Sequence, residues 1–338
     1  MAINPGAYLV PNLFAKDIKK VNTRDGYGKG LVKLGEINPK VVVLCADLSD
    51  STRSKWFQDK FPQRFIEIGV AEQNLATIAS GMAALGKIPF ISSYASFSPG
   101  RNNEQIRTTI CYNSWDSKPG KEINVKIGGA HAGISVGPDG ATHQALEDVG
   151  LMRLIPGMTV LVPCDDIEAE KATIAAASRP GPVYIRFGRA SYPSYTTEKT
   201  PFKIGRMEEL RSGKDCTIIA NGPLLYHALL AAETLKKEID CQVLDGCTVK
   251  PLDGETLLKA VRQTGCAVTA EEHQWQGGLA GAVAEFLGEN YPVPIKRVGV
   301  RDRFGESGET DELFKAFHLT PDDIVKAVRE AVKMKKRK

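Results

Sequence analysis

Side chains able to do chemistry concentrate in four short stretches, residues 45–52, 68–74, 129–144 and 184–189, each rich in small or polar residues. Glu72 follows Ile68, Gly69, Val70 and Ala71 and opens an apolar helical pattern. A carboxylate there either complements the helix dipole or, if its small apolar neighbours bury it, becomes an acid able to hold a proton near neutral pH. His131 and His143 bracket a turn containing Gly133, Gly137, Asp139 and Gly140, whose freedom lets backbone and side chains approach a ligand closely. No third histidine or cysteine is near enough in sequence to complete a metal site, so the pair reads either as structural or as part of a binding loop. Arg189, just past Arg186, can offer its planar fork to a phosphate or carboxylate, or form a surface ion pair. Tyr94 and Phe97 can stack on a flat heterocycle or simply pack.

The elements that must position these residues are strands alternating with helices. Strands are predicted at 41–46, 88–92, 125–128, 159–162 and 183–186, and the four chemical stretches fall at or near strand ends, where open α/β sheets bind ligands. Leu75, Ile78, Ala79, Met82 and Leu85 recur at helical spacing before Gly86. A second helix is expected to start near Thr142 and carry Leu146, Val149 and Leu154. The stretch 193–206 has little apolar periodicity and contains Pro193, Tyr195, Pro201 and three threonines, and it reads as a linker. Beyond it, strands at 217–220, 241–244, 267–270 and 297–300 alternate with helices near 224–237, 255–262 and 279–287. The fold class is therefore α/β: a doubly wound parallel sheet over residues 20–192, followed by a smaller α/β domain over 207–334.

Bulk composition narrows the classes of function. The 338 residues are 42% hydrophobic and 25% charged, enough for two ordinary domains. The net charge of +4 matches Lys335, Lys336, Arg337 and Lys338, a basic end that reads as a solvated tail. No broad cationic surface for nucleic acid or an anionic membrane is expected. Neither a signal segment nor a spanning stretch is apparent, and a cytoplasmic protein is expected. Seven cysteines without a C-x-x-C pair read as reduced, buried thiols.

In this order, the stretches resemble the C-terminal half of transketolase, most densely at Ala71-Glu-Gln-Asn74, Asp139-Gly-Ala-Thr-His-Gln-Ala-Leu-Glu-Asp148 and Ile185-Arg-Phe-Gly-Arg189. The resemblance implies a pyrimidine-binding domain, then the family's small C-terminal domain, and thiamine diphosphate as cofactor. It makes Glu72 the carboxyl that hydrogen-bonds N1′ of the aminopyrimidine, Phe97 with Tyr94 the wall on which that ring stacks, and Asp47 and Leu48 neighbours of the cofactor's other ring. Tyr94 stands where phenylalanine is frequent. Arg24, Ser51, His131 and Arg189 match positions that hold a sugar phosphate, Asp139 one that contacts a substrate hydroxyl, and His143 one close to the reacting carbonyl. Residues 114–121 look longer than the family norm and are expected to reshape the substrate entrance.

The family's other half carries a Gly-Asp-Gly motif and a later asparagine that bind magnesium and diphosphate, and this sequence has no such motif. The resemblance thus implies the C-terminal subunit of a split, two-chain transketolase. A separate N-terminal subunit would bind Mg2+, and a heterotetramer of two plus two chains would move a ketol unit between sugar phosphates. The β subunit of a 2-oxo acid dehydrogenase, a 1-deoxyxylulose-phosphate synthase-like enzyme and a non-catalytic regulatory homologue are the alternatives. Arg24, His131, Arg189 and the Asp-Gly-Ala-Thr-His segment favour transketolase.

Overall fold

The computed structural model describes residues 3–115, 118 and 120–336. Among these residues lie fourteen strands: β1 Lys20–Asn22, β2 Val41–Cys45, β3 Phe65–Glu67, β4 Ile88–Tyr94, β5 Lys126–Ala130, β6 Thr159–Leu161, β7 Val183–Arg186, β8 Ser191–Pro193, β9 Glu208–Arg211, β10 Cys216–Ala220, β11 Cys241–Asp245, β12 Thr248–Lys250, β13 Ala267–Gln274 and β14 Ile295–Val300. They form a seven-stranded sheet in the order β12-β6-β7-β5-β4-β2-β3, a five-stranded sheet in the order β14-β13-β10-β11-β9, and the short antiparallel pair β1-β8. In the large sheet all pairings are parallel except β12 on β6. In the smaller sheet only β9 runs antiparallel.

Strand composition explains this layering. Val41-Val-Val-Leu-Cys45 is buried at every position, because a parallel strand covered on both faces needs apolar side chains on both. Val41 and Val43 pack with Tyr27, Leu31, Phe57, Ala172 and Ala176, contributed largely by the helices Thr23–Ile37 and Asp166–Ser178. Val42 and Leu44 face the other way, into a core that also contains Leu75, Ala76 and Ala79. The same core takes Leu257, Val261, Leu279 and Val283 from helices Gly254–Thr264 and Leu279–Asn290. Helices Gly254–Thr264 and Leu279–Asn290 lie on β10 and β13 of the smaller sheet, and helix Glu72–Ala84 lies on β4 and β2 of the large one, so the two sheets share a single core. Each fully buried valine or leucine here contributes about 1.5–3 kcal/mol, so truncating Leu44 would loosen both halves together.

All nine strands predicted from sequence form, with ends shifted by at most a few residues. Strands β1, β3, β8, β9 and β12 were not visible as patterns, since each spans only three or four residues and owes its existence to a partner strand. The helix expected from Thr142 begins instead at Asp148. The preceding residues are held by tertiary bonds: Gly133 donates to the Ala145 carbonyl at 2.9 Å, and Gln144 Nε2 donates to the Ile134 and Gly137 carbonyls at 3.1 and 3.2 Å. Leu154, expected on this helix, is its last residue and is 74% exposed.

Two further expectations change. Lys335 closes helix Pro321–Lys335 and donates to the Thr264 carbonyl at 2.6 Å, so the basic end starts as a packed helix terminus. Arg337 and Lys338 lie outside the described residues. In the 114–121 stretch, Asp116, Ser117 and Pro119 also lie outside them. Its described residues Ser114 and Trp115 border a cleft with Gly157, Pro180, Gly181 and Pro182, in loops that precede β6 and β7. That is the N-terminal edge of the sheet, opposite the chemical stretches, and it rules out this part of the segment as the substrate entrance.

Candidate active site

Strands β2, β4, β5 and β7 are consecutive neighbours, in the order β7-β5-β4-β2. Their C-terminal ends deliver Asp47, Tyr94, His131 and Arg189 to one edge. The chain crosses from one side of β2 to the other between β3 and β4, which is the topological switch where open sheets leave a crevice. Glu67 Oε1, at the end of β3, accepts from the backbone N–H groups of both Asp47 (2.7 Å) and Gly69 (2.9 Å), and so ties the loop after β2 to the loop before Glu72. Asp47 itself takes a left-handed φ of 56°. Leu48 caps the short helix Ser49–Thr52, its carbonyl accepting from Thr52 N–H at 2.9 Å.

Glu72 is the first residue of helix Glu72–Ala84 and is only 4% exposed. It borders a cleft of about 590 Å³ together with Val70, Ala71, Gln73, Asn74 and Arg101. Arg101 Nη1 donates to both of its carboxylate oxygens, at 3.2 and 3.3 Å, and Asn102 Nδ2 donates to its backbone carbonyl at 3.0 Å. Arg101 also lies over Phe97, its Cζ 4.0 Å from the ring centroid. Phe97 and Tyr94 stack with centroids 5.9 Å apart and planes 28° from parallel. The His143 ring meets Phe97 edge-on at 5.5 Å, and its Nδ1 bonds Thr142 Oγ1 at 2.9 Å.

Tyr94 continues the contact chain to His131, 4.1 Å away between centroids. His131 is buried, has a left-handed φ of 53°, and leaves Nδ1 without a hydrogen-bond partner. Burial, reinforced by the nearby guanidinium groups of Arg24, Arg189 and Arg53, pushes its pKa down to about 3, so the imidazole is neutral at physiological pH. Arg24 Nη1 donates to the Ser51 carbonyl at 3.1 Å, while its buried Nε has no partner. Burial and then Arg53 lower the Arg24 pKa from its ordinary value. Arg189 Nη1 donates to the Val136 carbonyl at 2.9 Å and to Asp139 Oδ1 at 3.4 Å. Three guanidinium groups thus surround a neutral histidine, an arrangement suited to an anionic group bearing hydroxyls.

The eleven residues singled out from sequence form one continuous patch, with Glu72 at one end and Asp139 at the other. Ser51 differs in manner: its contact with Arg24 runs through the backbone carbonyl rather than the hydroxyl. Sequence reasoning missed Arg101, Arg53, Glu67 and Glu272. Arg101 follows Phe97 at the i, i+4 spacing that lets a cation fold back on a ring, a signal that was available. Glu272, on β13, has no local signal. It accepts from Ser135 N–H at 2.6 Å and supports the 133–140 loop from beneath.

Among the described residues, Cys164, Glu168 and Asp245 bring one potential ligand atom each within 4.8 Å of one another. They are buried at the seam between the two sheets. Burial, with Glu168 alongside, raises the Asp245 pKa well above its ordinary value. All seven cysteines are buried and unpaired, as expected. No helix among the described residues is long and apolar enough to cross a membrane.

Residues 19–194 match the family described as transketolase, pyrimidine binding domain, and residues 205–324 match transketolase, C-terminal domain. A 6-deoxy-6-sulfo-D-fructose transketolase subunit of Clostridium sp. (strain MSTE9) is 42% identical over 313 residues, covering 92% of this chain and 95% of that one. An apulose-4-phosphate transketolase subunit of Phocaeicola vulgatus is 36% identical over 312 residues, covering 92% and 97%. A solved split gene transketolase, described as an inactive β4 tetramer, superposes with a TM-score of 0.85 at 46% identity and covers 93% of this chain and 99% of its own. With both domains matched in order and separate subunits aligned nearly end to end, the chain belongs to the transketolase family, as a counterpart of the C-terminal subunit of its split members.

Proposed function

We propose that this chain is the C-terminal subunit of a thiamine diphosphate-dependent transketolase, moving a two-carbon ketol unit from an anionic ketose to an aldose phosphate together with a separate N-terminal subunit. The observation that carries this reading is the buried Glu72 carboxylate beside the Phe97–Tyr94 pair on a cleft of about 590 Å³. Fit to the cofactor can be judged from Arg101, whose flat, N–H-bearing guanidinium lies on Phe97 and bonds Glu72. An aminopyrimidine is likewise flat, and its N1′ would meet Glu72 through a shared proton where the guanidinium now donates. Under this reading residues 20–192 are the pyrimidine-binding domain, 193–206 a linker and 207–334 the C-terminal domain, with β12 lending a strand back to the first sheet.

Thiamine diphosphate, when bound, supplies the carbon centre that accepts and passes on the ketol unit. Glu72 would share a proton with N1′ of its pyrimidine, Phe97 and Tyr94 would hold the ring face, and Asp47 and Leu48 would border its other ring. His131, neutral and with a free Nδ1, can exchange a hydrogen bond with a substrate hydroxyl without adding charge. His143, edge-on to Phe97, is placed to give or take a proton at the substrate carbonyl. Arg24 and Arg189 would bind the anionic end, with the Ser51 loop held by Arg24 and Asp139 oriented by Arg189. The sequence has no Gly-Asp-Gly motif, which supports the reading that the partner would hold Mg2+ and the diphosphate. The relatives act on a sulfonated and a phosphorylated sugar respectively, by their names, so the anion class is the open variable.

Co-production with a companion chain bearing the Gly-Asp-Gly and asparagine motif, followed by assay against phosphorylated and sulfonated ketoses, tests the assignment. Activity is expected only with both chains, as a two-plus-two assembly measurable by light scattering. Full turnover by this chain alone would overturn it.

A further inference from the structure

Arg101 touches both surfaces that the pyrimidine assignment requires. Its backbone is firmly placed: Arg101 N–H donates to the Phe97 carbonyl at 2.8 Å, and Asn102 clamps Ser98 Oγ (3.1 Å) to the Glu72 carbonyl (3.0 Å). Gly100 lets the turn close, since a β-carbon there would stand 2.0 Å from the Ser96 carbonyl oxygen. From this anchored turn only the long side chain reaches into the cleft. Its guanidinium stacks 4.0 Å from the Phe97 centroid and bonds both Glu72 oxygens. Arg101 is 50% exposed while Glu72 is 4% exposed, so the cation sits at the open side of the cleft with the carboxylate beneath it.

A planar aminopyrimidine bound to Glu72 and stacked on Phe97 would need this same volume, and two groups cannot share it. Leaving a buried carboxylate unpaired is costly, which explains why a cation fills the position when no ligand does. We propose that Arg101 is an internal placeholder for the cofactor's pyrimidine. In the unloaded chain its guanidinium takes the ring's stacking face and its bond to Glu72, and cofactor entry requires it to swing toward solvent. This rests on the thiamine diphosphate reading above. It gives the free subunit a self-paired pyrimidine site, and gives loading a step in which one flat group replaces another on Phe97 and Glu72.

Titration of thiamine diphosphate with Mg2+ into the assembled two-chain complex, followed by calorimetry and by stopped-flow fluorescence, tests the inference. Because the pair is half exposed, removing the competitor should tighten cofactor binding only modestly. Arg101→Ala is expected to lower the dissociation constant by about three- to tenfold and to speed association. Arg101→Met keeps the aliphatic stem over Phe97 without the charge, and it decides the matter if the alanine variant does not assemble. In a Glu72→Gln background the pairing is already weakened, so Arg101→Ala should change the association rate less than it does in the wild type. Unchanged or weaker binding by the Arg101 variants would show a side chain that supports the bound ring, and would overturn the placeholder. If the wild-type complex itself takes up no thiamine diphosphate, the cofactor reading fails instead.

Discussion

His131 illustrates how a single residue acquires its character from its surroundings. In sequence it is a histidine on a glycine-rich turn, but burial, helped by three nearby arginines, brings its pKa down to about 3 and keeps it neutral. Charge in the site is left to the arginines and carboxylates. Glu72→Ala in the two-chain enzyme is expected to abolish exchange of the thiazolium C2 proton, followed by NMR in deuterated buffer, while the complex still assembles; unchanged exchange would remove Glu72 from the mechanism. Arg189 is argued to hold the substrate's anionic end. Its alanine variant should raise KM for phosphorylated or sulfonated ketoses by about tenfold and leave kcat largely unaltered. An equal effect on an uncharged ketose would assign Arg189 to supporting the loop through Val136 and Asp139.

The loop 133–140 is the element on which the site most depends, and it is held from outside its own sequence. Gly133 has φ +88°, and a β-carbon there would stand 2.4 Å from the Glu272 carboxyl carbon. Gly133→Ala should therefore destabilise the protein by about 1–3 kcal/mol, read from urea unfolding. Burial pushes the pKa of Glu272 up from 4.5 to about 7, with Arg186 pulling against that. A carboxyl whose pKa is raised on folding stabilises below its unfolded value, and that stability is lost as pH rises through the folded value. Glu272 thus favours the fold below pH 4.5 and loses that contribution by about pH 7–8, on the order of 3 kcal/mol. Glu272→Gln, which keeps an oxygen for Ser135 N–H, should unfold with a shallower loss of stability between pH 5 and 8 than the wild type. Identical slopes would place the proton elsewhere.

At the scale of the molecule, the halves of the chain are not independent blocks. Helices Gly254–Thr264 and Leu279–Asn290 send side chains into the core that also holds Leu44 and Leu75, β12 extends the large sheet, and Glu272 reaches under the 133–140 loop. A truncation before residue 207 would remove β12 and open the shared core, so the isolated first half should bind the 8-anilinonaphthalene sulfonate dye, a sign of exposed apolar surface, where the full chain does not. The cleft at Glu72 lies open at this chain's surface, in keeping with a cofactor shared with a second subunit.

The order of elements was legible in the sequence because long buried strands and amphipathic helices announce themselves through periodicity. The patch from Glu72 to Arg189 was legible because family motifs fall at strand ends. The three-residue strands, the late start of helix Asp148–Leu154 and the packing of Lys335 were not, since each depends on a partner distant in the chain. By itself the sequence determined the α/β class, the residue types of the site and the lack of a Gly-Asp-Gly motif, all properties of local pattern and composition. Only the tertiary structure decided that His131 is neutral, that Glu272 carries the loop and that Arg101 sits on Glu72, because burial and ion pairing arise when distant segments meet.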